Sequence, residues 1–181
     1  EGSKGLPEIE AAGLFWQMLS AVTHLHGHSV IHRDIKLDHF LFGSADPKKA
    51  QLKLVDFGHA WPLQVLPVDG EILMAQELTI PGGVGTSHFM APEVMDESEV
   101  LARFADRADV WALGVCLHAL LTGRLPVCWN GVKEDSKLKA RGSALPEEPI
   151  RANGVALSPF AQDLLRKLLQ LLPEDRPTAV Q

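Results

Sequence analysis

Two short stretches hold the residues that could do chemistry: His32-Arg33-Asp34-Ile35-Lys36 and Asp56-Phe57-Gly58. One carboxylate can orient an attacking hydroxyl, a second can hold a divalent cation, and a lysine can offset phosphate charge. Phosphoryl transfer asks a protein for little more than that positioning and electrostatic stabilisation. Asp34, Asp56 and Lys36 are of the right types for the three tasks. They can act together only if the chain brings both stretches to one locus.

The elements that must position them can be read as patterns. Leu14, Met18, Val22 and Leu25 recur at helical spacing behind a polar start at Pro7, Glu8 and Glu10, which predicts a helix over 7–26 stopped by Gly27. Val30 and Ile31 form a brief apolar pair before a charged loop from His32 to Asp38. Phe40 to Phe42 and Leu52 to Val55 read as paired strands joined by turn residues from Gly43 to Lys49, a small hairpin that delivers Asp34 and Asp56 at strand ends. From Gly58 to Pro92, prolines and glycines interrupt every candidate helix or strand, and a loop that long is expected to be functional or mobile. Asp109 is expected to open a helix to Thr122 that is apolar on all sides, hence central, with Gly123 as its stop. Val127 to Ala156 reads as mostly irregular. Ser158-Pro159 then supplies an N-cap and first-turn proline for a helix carrying Phe160, Leu164, Leu165, Leu168 and Leu169, ended by Pro173.

The 181 residues, 46% hydrophobic and 22% charged, can bury one substantial core, and no repeat or low-complexity tract divides them. A formal charge of -6 without a basic cluster argues against a nucleic-acid partner and suits basic ones. The apolar run Val110 to Leu121 contains His118 and is too short to span a bilayer, so no membrane span is expected. Cys116 and Cys128 have neither zinc-site nor disulfide-framework spacing, which fits a reducing, intracellular and cytoplasmic setting. The chain opens on Glu1 without a secretory signal and is expected to be cut from something longer.

In order with Gly85-Thr86, Ala91-Pro92-Glu93, Asp109-Val110-Trp111-Ala112-Leu113-Gly114 and Arg176, the two acidic stretches resemble the protein kinase family over residues 7–177. A single tripeptide would be weak evidence; the ordered set is not. The resemblance implies an α+β protein kinase-like fold, with residues 1–181 as its mainly α-helical C-terminal lobe bearing a small β-hairpin. It implies transfer of the γ-phosphoryl group of ATP to Ser or Thr of protein substrates, with ATP and Mg2+ as cofactors. Asp34 would be the catalytic base, Lys36 would contact the transferring phosphate, and Thr86 would help position both. Asp56 would be a magnesium ligand and Leu41 the apolar floor beneath adenine. Glu93 and Arg176 would form a buried structural ion pair. Asp109 would anchor the catalytic-loop backbone, or simply cap its helix. Lys36 and Thr86 favour hydroxyl acceptors on Ser or Thr over Tyr. The layout, including Leu120-Leu121-Thr122-Gly123 before Pro126, is similar to calmodulin-dependent and calcium-dependent kinases. There an acid at the place of Asp38 reads an Arg in the substrate, although a solvated loop carboxylate is an equal reading. A regulatory domain in the parent would fit the same group.

Three features depart from the family pattern. His39 stands where the family carries the Asn that binds a second magnesium ion, and magnesium prefers oxygen donors. A pseudokinase or kinase-like scaffold with impaired metal binding therefore remains open beside the enzyme. No glycine-rich phosphate loop, lysine-bearing strand or helix with its paired Glu is seen, so the ATP-binding N-terminal lobe is expected to be absent and the isolated piece to bind ATP poorly and transfer no phosphate. Residues 59–90 hold no Lys or Arg to share a phosphate with Arg33; Thr79 is the nearest acceptor, and Asp69, Glu71 and Glu77 crowd the stretch. Activation without loop phosphorylation is expected, with a disordered loop as the bland alternative. His24, His26 and His28 alternate and share no helix face, so they are read as ordinary residues, His26 as packing beside the catalytic loop. Cys116 reads as a small buried hydrophobe, and Trp16, Trp61, Trp111 and Trp129 as core or groove residues.

Overall fold

Helix α1 spans Glu8–Gly27, starting behind Pro7 and burying Ala11, Phe15, Met18 and Val22 on one face. The computed structural model describes residues 4–46, 51–63, 79–96, 99–126 and 142–181. The buried stripe is offset from the expected one: Leu14 and Leu25 are only partly buried, because the helix turns Ala11 and Phe15 inward instead. Strands β1 (Val30–Ile31), β2 (Phe40–Phe42) and β3 (Leu52–Leu54) follow, with a 3-10 turn at Leu37–His39 between β1 and β2. β2 and β3 pair antiparallel as expected, Phe40 opposite Leu54 and Phe42 opposite Leu52.

The long irregular stretch is more structured than its composition suggests. Trp61–Pro62 forms β4 against β1, and Thr79–Pro81 forms β5 against β6 (Glu99–Leu101), both antiparallel. A short helix α2 begins at Pro92. Each of these strand pairs joins segments far apart in sequence, so no local pattern announces them, and the prolines sit at strand ends where no ladder donor is needed. Residues 64–78, including Asp69, Glu71 and Glu77, lie outside the described residues, as do Trp129 and Cys128.

Helix α3 (Ala105–Thr122) is the centre of the molecule, burying every residue from Asp109 to Leu117. It starts one turn before the expected Asp109, which is therefore an interior residue and not an N-cap. Its carboxylate is taken up by backbone donors from another segment, as described below. Gly123 closes the helix in the left-handed conformation, φ 71°. After β7 (Arg151–Ala152) and β8 (Val155–Ala156), a hairpin within the stretch read as irregular, comes helix α4 (Pro159–Leu168). Ser158 caps α4 by accepting from Ala161 N at 3.2 Å, and Glu8 of α1 accepts from the same hydroxyl at 2.6 Å, tying the starts of the two helices. α4 ends at Leu168 rather than at Pro173, which opens a 3-10 turn, and Phe160 is solvent-exposed while Leu165, Leu168 and Leu169 are buried.

The main core joins the inner faces of α1, α3 and α4. A second, smaller core of Ile31, Ile80, Val100, Ala102 and Ala105 seals the β1 and β5 strands to the start of α3. This satellite fixes the loop from residue 32 to 38 against the middle of the molecule. Among the described residues no helix is long and apolar enough to cross a membrane.

Candidate active site

The loop after β1 is held by one buried carboxylate. Asp109 Oδ2 accepts from the backbone N–H of His32 at 2.8 Å and from His26 Nε2 at 3.0 Å, and Oδ1 accepts from Arg33 N at 2.9 Å. Charge-assisted bonds to a buried anion are the strong class of hydrogen bond, and these hold Arg33 at φ 70°. His32, fully buried, donates from Nε2 to the Val55 carbonyl at 3.1 Å and accepts at Nδ1 from Asp34 N at 3.4 Å. The carbonyl can only accept, which fixes the tautomer. Burial lowers the His32 pKa below its ordinary value despite the nearby Asp109 charge, keeping the ring neutral. One imidazole thus ties the Asp34 loop to the end of β3, where Asp56 also stands in the left-handed region, φ 63°.

Around Asp34 three side chains close a triangle. Thr86 Oγ1 donates to Asp34 Oδ1 at 2.8 Å, Lys36 Nζ donates to Asp34 Oδ2 at 3.0 Å, and Lys36 Nζ also donates to Thr86 Oγ1 at 2.9 Å. Burial opposes ionisation of Asp34, but the bonds from Thr86 and Lys36, the Lys36 charge and the neighbouring His39 outweigh it and hold the carboxyl below its ordinary value. Gly85 makes the approach possible: at φ 119° it lies where a Cβ would come within 2.6 Å of the Arg33 carbonyl oxygen. A larger residue would push Thr86 away from Asp34.

His39 bridges the two acidic stretches. Its Nδ1 donates to the Asp34 backbone carbonyl at 2.8 Å, and its Nε2 lies 3.3 Å from Asp56 Oδ2. The Asp56 carboxylate is more than half exposed and its Oδ1 takes a 3.3 Å bond from Gly58 N, so it can offer oxygen to an ion from the solvent side. Among the described residues no group of three or more His, Cys, Asp or Glu side chains could hold a metal ion by itself. Magnesium seldom needs such a cage, since it keeps several waters and binds through one or two carboxylates together with substrate phosphates. Asp56 fits that demand; the His39 nitrogen does not.

Arg33 Nη2 donates to the Pro81 carbonyl at 2.6 Å, and the guanidinium lies 5.4 Å from the centre of the Trp61 ring. Elsewhere Arg176, fully buried, donates to both oxygens of Glu93 at 2.6 and 2.7 Å and to the carbonyls of Gln170 and Leu171.

A family model described as the protein kinase domain matches residues 1–181. The chain belongs to the protein kinase domain family. It is similar to testis-specific serine/threonine-protein kinase 5 of Mus musculus, 36% identical over 95% of this chain and 40% of that protein. It is also similar to a probable serine/threonine-protein kinase PLK of Dictyostelium discoideum, 31% identical over 98% of this chain and 16% of that one. Tribbles homolog 3 of Mus musculus is 32% identical over 98% of this chain and 44% of its own length. The chain thus spans well under two thirds of these relatives.

Among the kinase residues singled out by sequence, the fold gathers Asp34, Lys36, Thr86, His39 and Asp56, while Leu41 is on β2 with its side chain half exposed. Asp38 is exposed. Thr79 belongs to β5. Trp61 and the Pro81 carbonyl, the partners of Arg33, were not foreseen, nor was the bridging role of His32. No spacing rule marks the first two, because each comes from a strand whose pairing is long-range. The alternating histidines resolve separately: His26 joins Asp109, and His28 Nδ1 bonds the His24 carbonyl at 2.8 Å. Cys116 is buried, and its thiol is pushed far up by desolvation, so it is an inert core residue. Trp111 is core, while Trp16 is exposed on the rim of an apolar groove with Phe160 and Leu164.

Proposed function

We propose that this chain is the C-terminal, substrate-binding lobe of a serine/threonine protein kinase domain, and that Asp34 orients the acceptor hydroxyl for attack on the γ-phosphoryl group of ATP. The triangle of Asp34, Lys36 and Thr86 carries this reading. It keeps a carboxylate ionised and aimed while a lysine stands beside it to offset phosphate charge. ATP and Mg2+ would supply the transferable group and the neutralisation of its charge. Asp56 would hold the ion, and exposed Leu41 would lie beneath the adenine ring. Among the described residues the nucleotide side offers one apolar strand face and one open carboxylate, so the chain by itself should bind ATP weakly. Micromolar affinity of the chain alone would overturn that part.

Exposed Asp38 and the net charge of -6 support acceptors flanked by basic residues. The Leu120-Leu121-Thr122-Gly123 turn before Pro126 supports placement near the calmodulin-dependent and calcium-dependent kinases, with regulation from elsewhere in a longer parent, in an intracellular setting.

A second reading is favoured by one observation: His39 occupies the metal side of the site with a nitrogen donor, which suits a kinase-shaped scaffold with an impaired nucleotide site. A phosphate-transfer assay on the full-length parent separates the two. Loss of transfer on Asp34→Ala, by a factor on the order of 100 or more, supports the enzyme. Equal background from the parent, Asp34→Ala and His39→Asn supports the scaffold.

A further inference from the structure

Helix α1 ends on two histidines that share a face. His24 and His28 lie four residues apart, about one helical turn, while His26 between them turns inward to Asp109. The three alternate along the chain, yet the outer two meet: their ring centres are 4.4 Å apart, with the planes tilted by 47°. Both residues are exposed. His28 stands just past Gly27 at φ -100° and ψ 14°, near enough to helical for the spacing to hold. Its backbone N–H closes the last turn on the Leu25 carbonyl at 2.9 Å.

The His28 ring is oriented by the backbone. Its Nδ1 lies 2.8 Å from the His24 carbonyl oxygen, which can only accept, so Nδ1 donates and Nε2 keeps its lone pair. Ligating histidines commonly give one ring N–H to a carbonyl in this way and offer the other nitrogen to a metal. The exposed His24 ring has room to turn a nitrogen to the same point. With metal–nitrogen bonds of about 2.0–2.1 Å and ring centres roughly 1.1 Å behind each nitrogen, two imidazoles at right angles on one ion have centres about 4.5 Å apart, and a tetrahedral pair about 5.2 Å. The observed separation matches the right-angled pair, the geometry that Cu2+ and Ni2+ favour. The carbonyls at the C-terminal end of α1 add a negative potential that attracts a cation.

We propose that His24 and His28 form a two-histidine surface site for a divalent transition ion, Cu2+ above all, at the end of α1. Mg2+ and Ca2+ want oxygen donors and are poorly served by imidazole, whereas Cu2+ heads the affinity order at nitrogen sites. Two protein ligands leave the remaining positions to water. The site is separate from Asp34, Lys36 and Asp56, and it stands whether or not the parent transfers phosphate.

The test titrates the full chain with CuCl2 in excess MgCl2. Electron paramagnetic resonance should show a bound ion coupled to two nitrogens, and in 1H–15N spectra the first equivalent should broaden residues 24–28 before the rest of the chain. His24→Ala and His28→Ala should each weaken binding about tenfold or more by removing one arm of the chelate. His88→Ala, at an exposed histidine elsewhere, should leave the affinity unchanged. If His28→Ala loosens the helix end, His24→Ala, which keeps the His28 cap, and the line broadening in the unsubstituted chain still decide. Coupling to a single nitrogen, broadening centred on another histidine, equal affinity in His24→Ala, or no Cu2+ bound at millimolar concentration would overturn the proposal; a His28 that merely caps α1 gives one of these results.

Discussion

At the scale of single residues, Asp34 depends on its neighbours more than on its own position. Burial alone would raise its pKa; Thr86 and Lys36 reverse the sign. In Thr86→Val the hydroxyl donor is lost, so the carboxyl should titrate at higher pH. The acid limb of the parent's kcat/KM profile should move upward, and kcat should fall by a factor on the order of 10 to 100 through misplacement of Asp34 and Lys36. A pH–rate series comparing the parent with Thr86→Val and the conservative Thr86→Ser checks this; an unmoved acid limb in Thr86→Val would show that the hydroxyl does not act on Asp34. Asp109 makes the same point about context. Its side chain looks like a helix start in the sequence, yet its three donors come from His26, His32 and Arg33.

At the scale of elements, the β1–β4 and β5–β6 pairs hold the segment after Asp56 at both described ends. Leu63 N donates to the Ser29 carbonyl at 2.7 Å, and Gly83 N to the Val94 carbonyl at 2.8 Å. Arg33 joins the two pairs, donating to Pro81 of β5 while its guanidinium lies over Trp61 of β4. Both of these contacts come from the protein itself and tie Arg33 to the two strand pairs in the absence of a phosphate. Treatment of the parent with phosphatase should therefore leave its activity unchanged. Trp61→Ala should lower the local stability of β4 by about 0.5–1 kcal/mol and speed amide exchange at Leu63. Full protection at Leu63 in Trp61→Ala, or activity lost to phosphatase, would count against this arrangement.

For the whole molecule, the Glu93–Arg176 pair joins the short helix α2 to the chain's last turns across the end of α3. Arg176 is fully buried, lies 5.0 Å from the centre of the Trp111 ring, and has acceptors on every side. Removing the carboxylate leaves a buried charge without its counter-ion, so Glu93→Ala should cost about 3–5 kcal/mol, read from urea unfolding; a loss under 1 kcal/mol would show that water reaches the guanidinium. Stability should also fall on acidification. Burial lowers the pKa values of His32 and His118 below the ordinary 6.5, so the unfolded chain binds more protons than the folded one once pH drops below that value. Their stabilising contribution is full above about pH 6.5 and declines as pH falls through the folded values. Thermal midpoints at pH 7.5 and 5.5 measure this, and a midpoint that rises on acidification would contradict it.

Local signals were enough for α1, α4, the β2–β3 hairpin and the ordered motifs. Helical spacing, the Ser158 cap, the Gly123 stop and alternating short strands are properties of neighbouring residues, and each depends on interactions within a few positions along the chain. Residue type singled out Asp34, Lys36 and Asp56, and the resemblance carried by the ordered motifs added Thr86 and His39. Only the tertiary structure decided that these five meet, that Asp109 lies inside its helix, and that Arg33 is matched by Trp61 and Pro81. Those outcomes depend on segments tens of residues apart brought together by burial of the Ile31–Ile80–Val100 cluster and by the closing of α3 against α1. Packing of that kind leaves no periodic trace in the chain, because the partners need share neither spacing nor residue type.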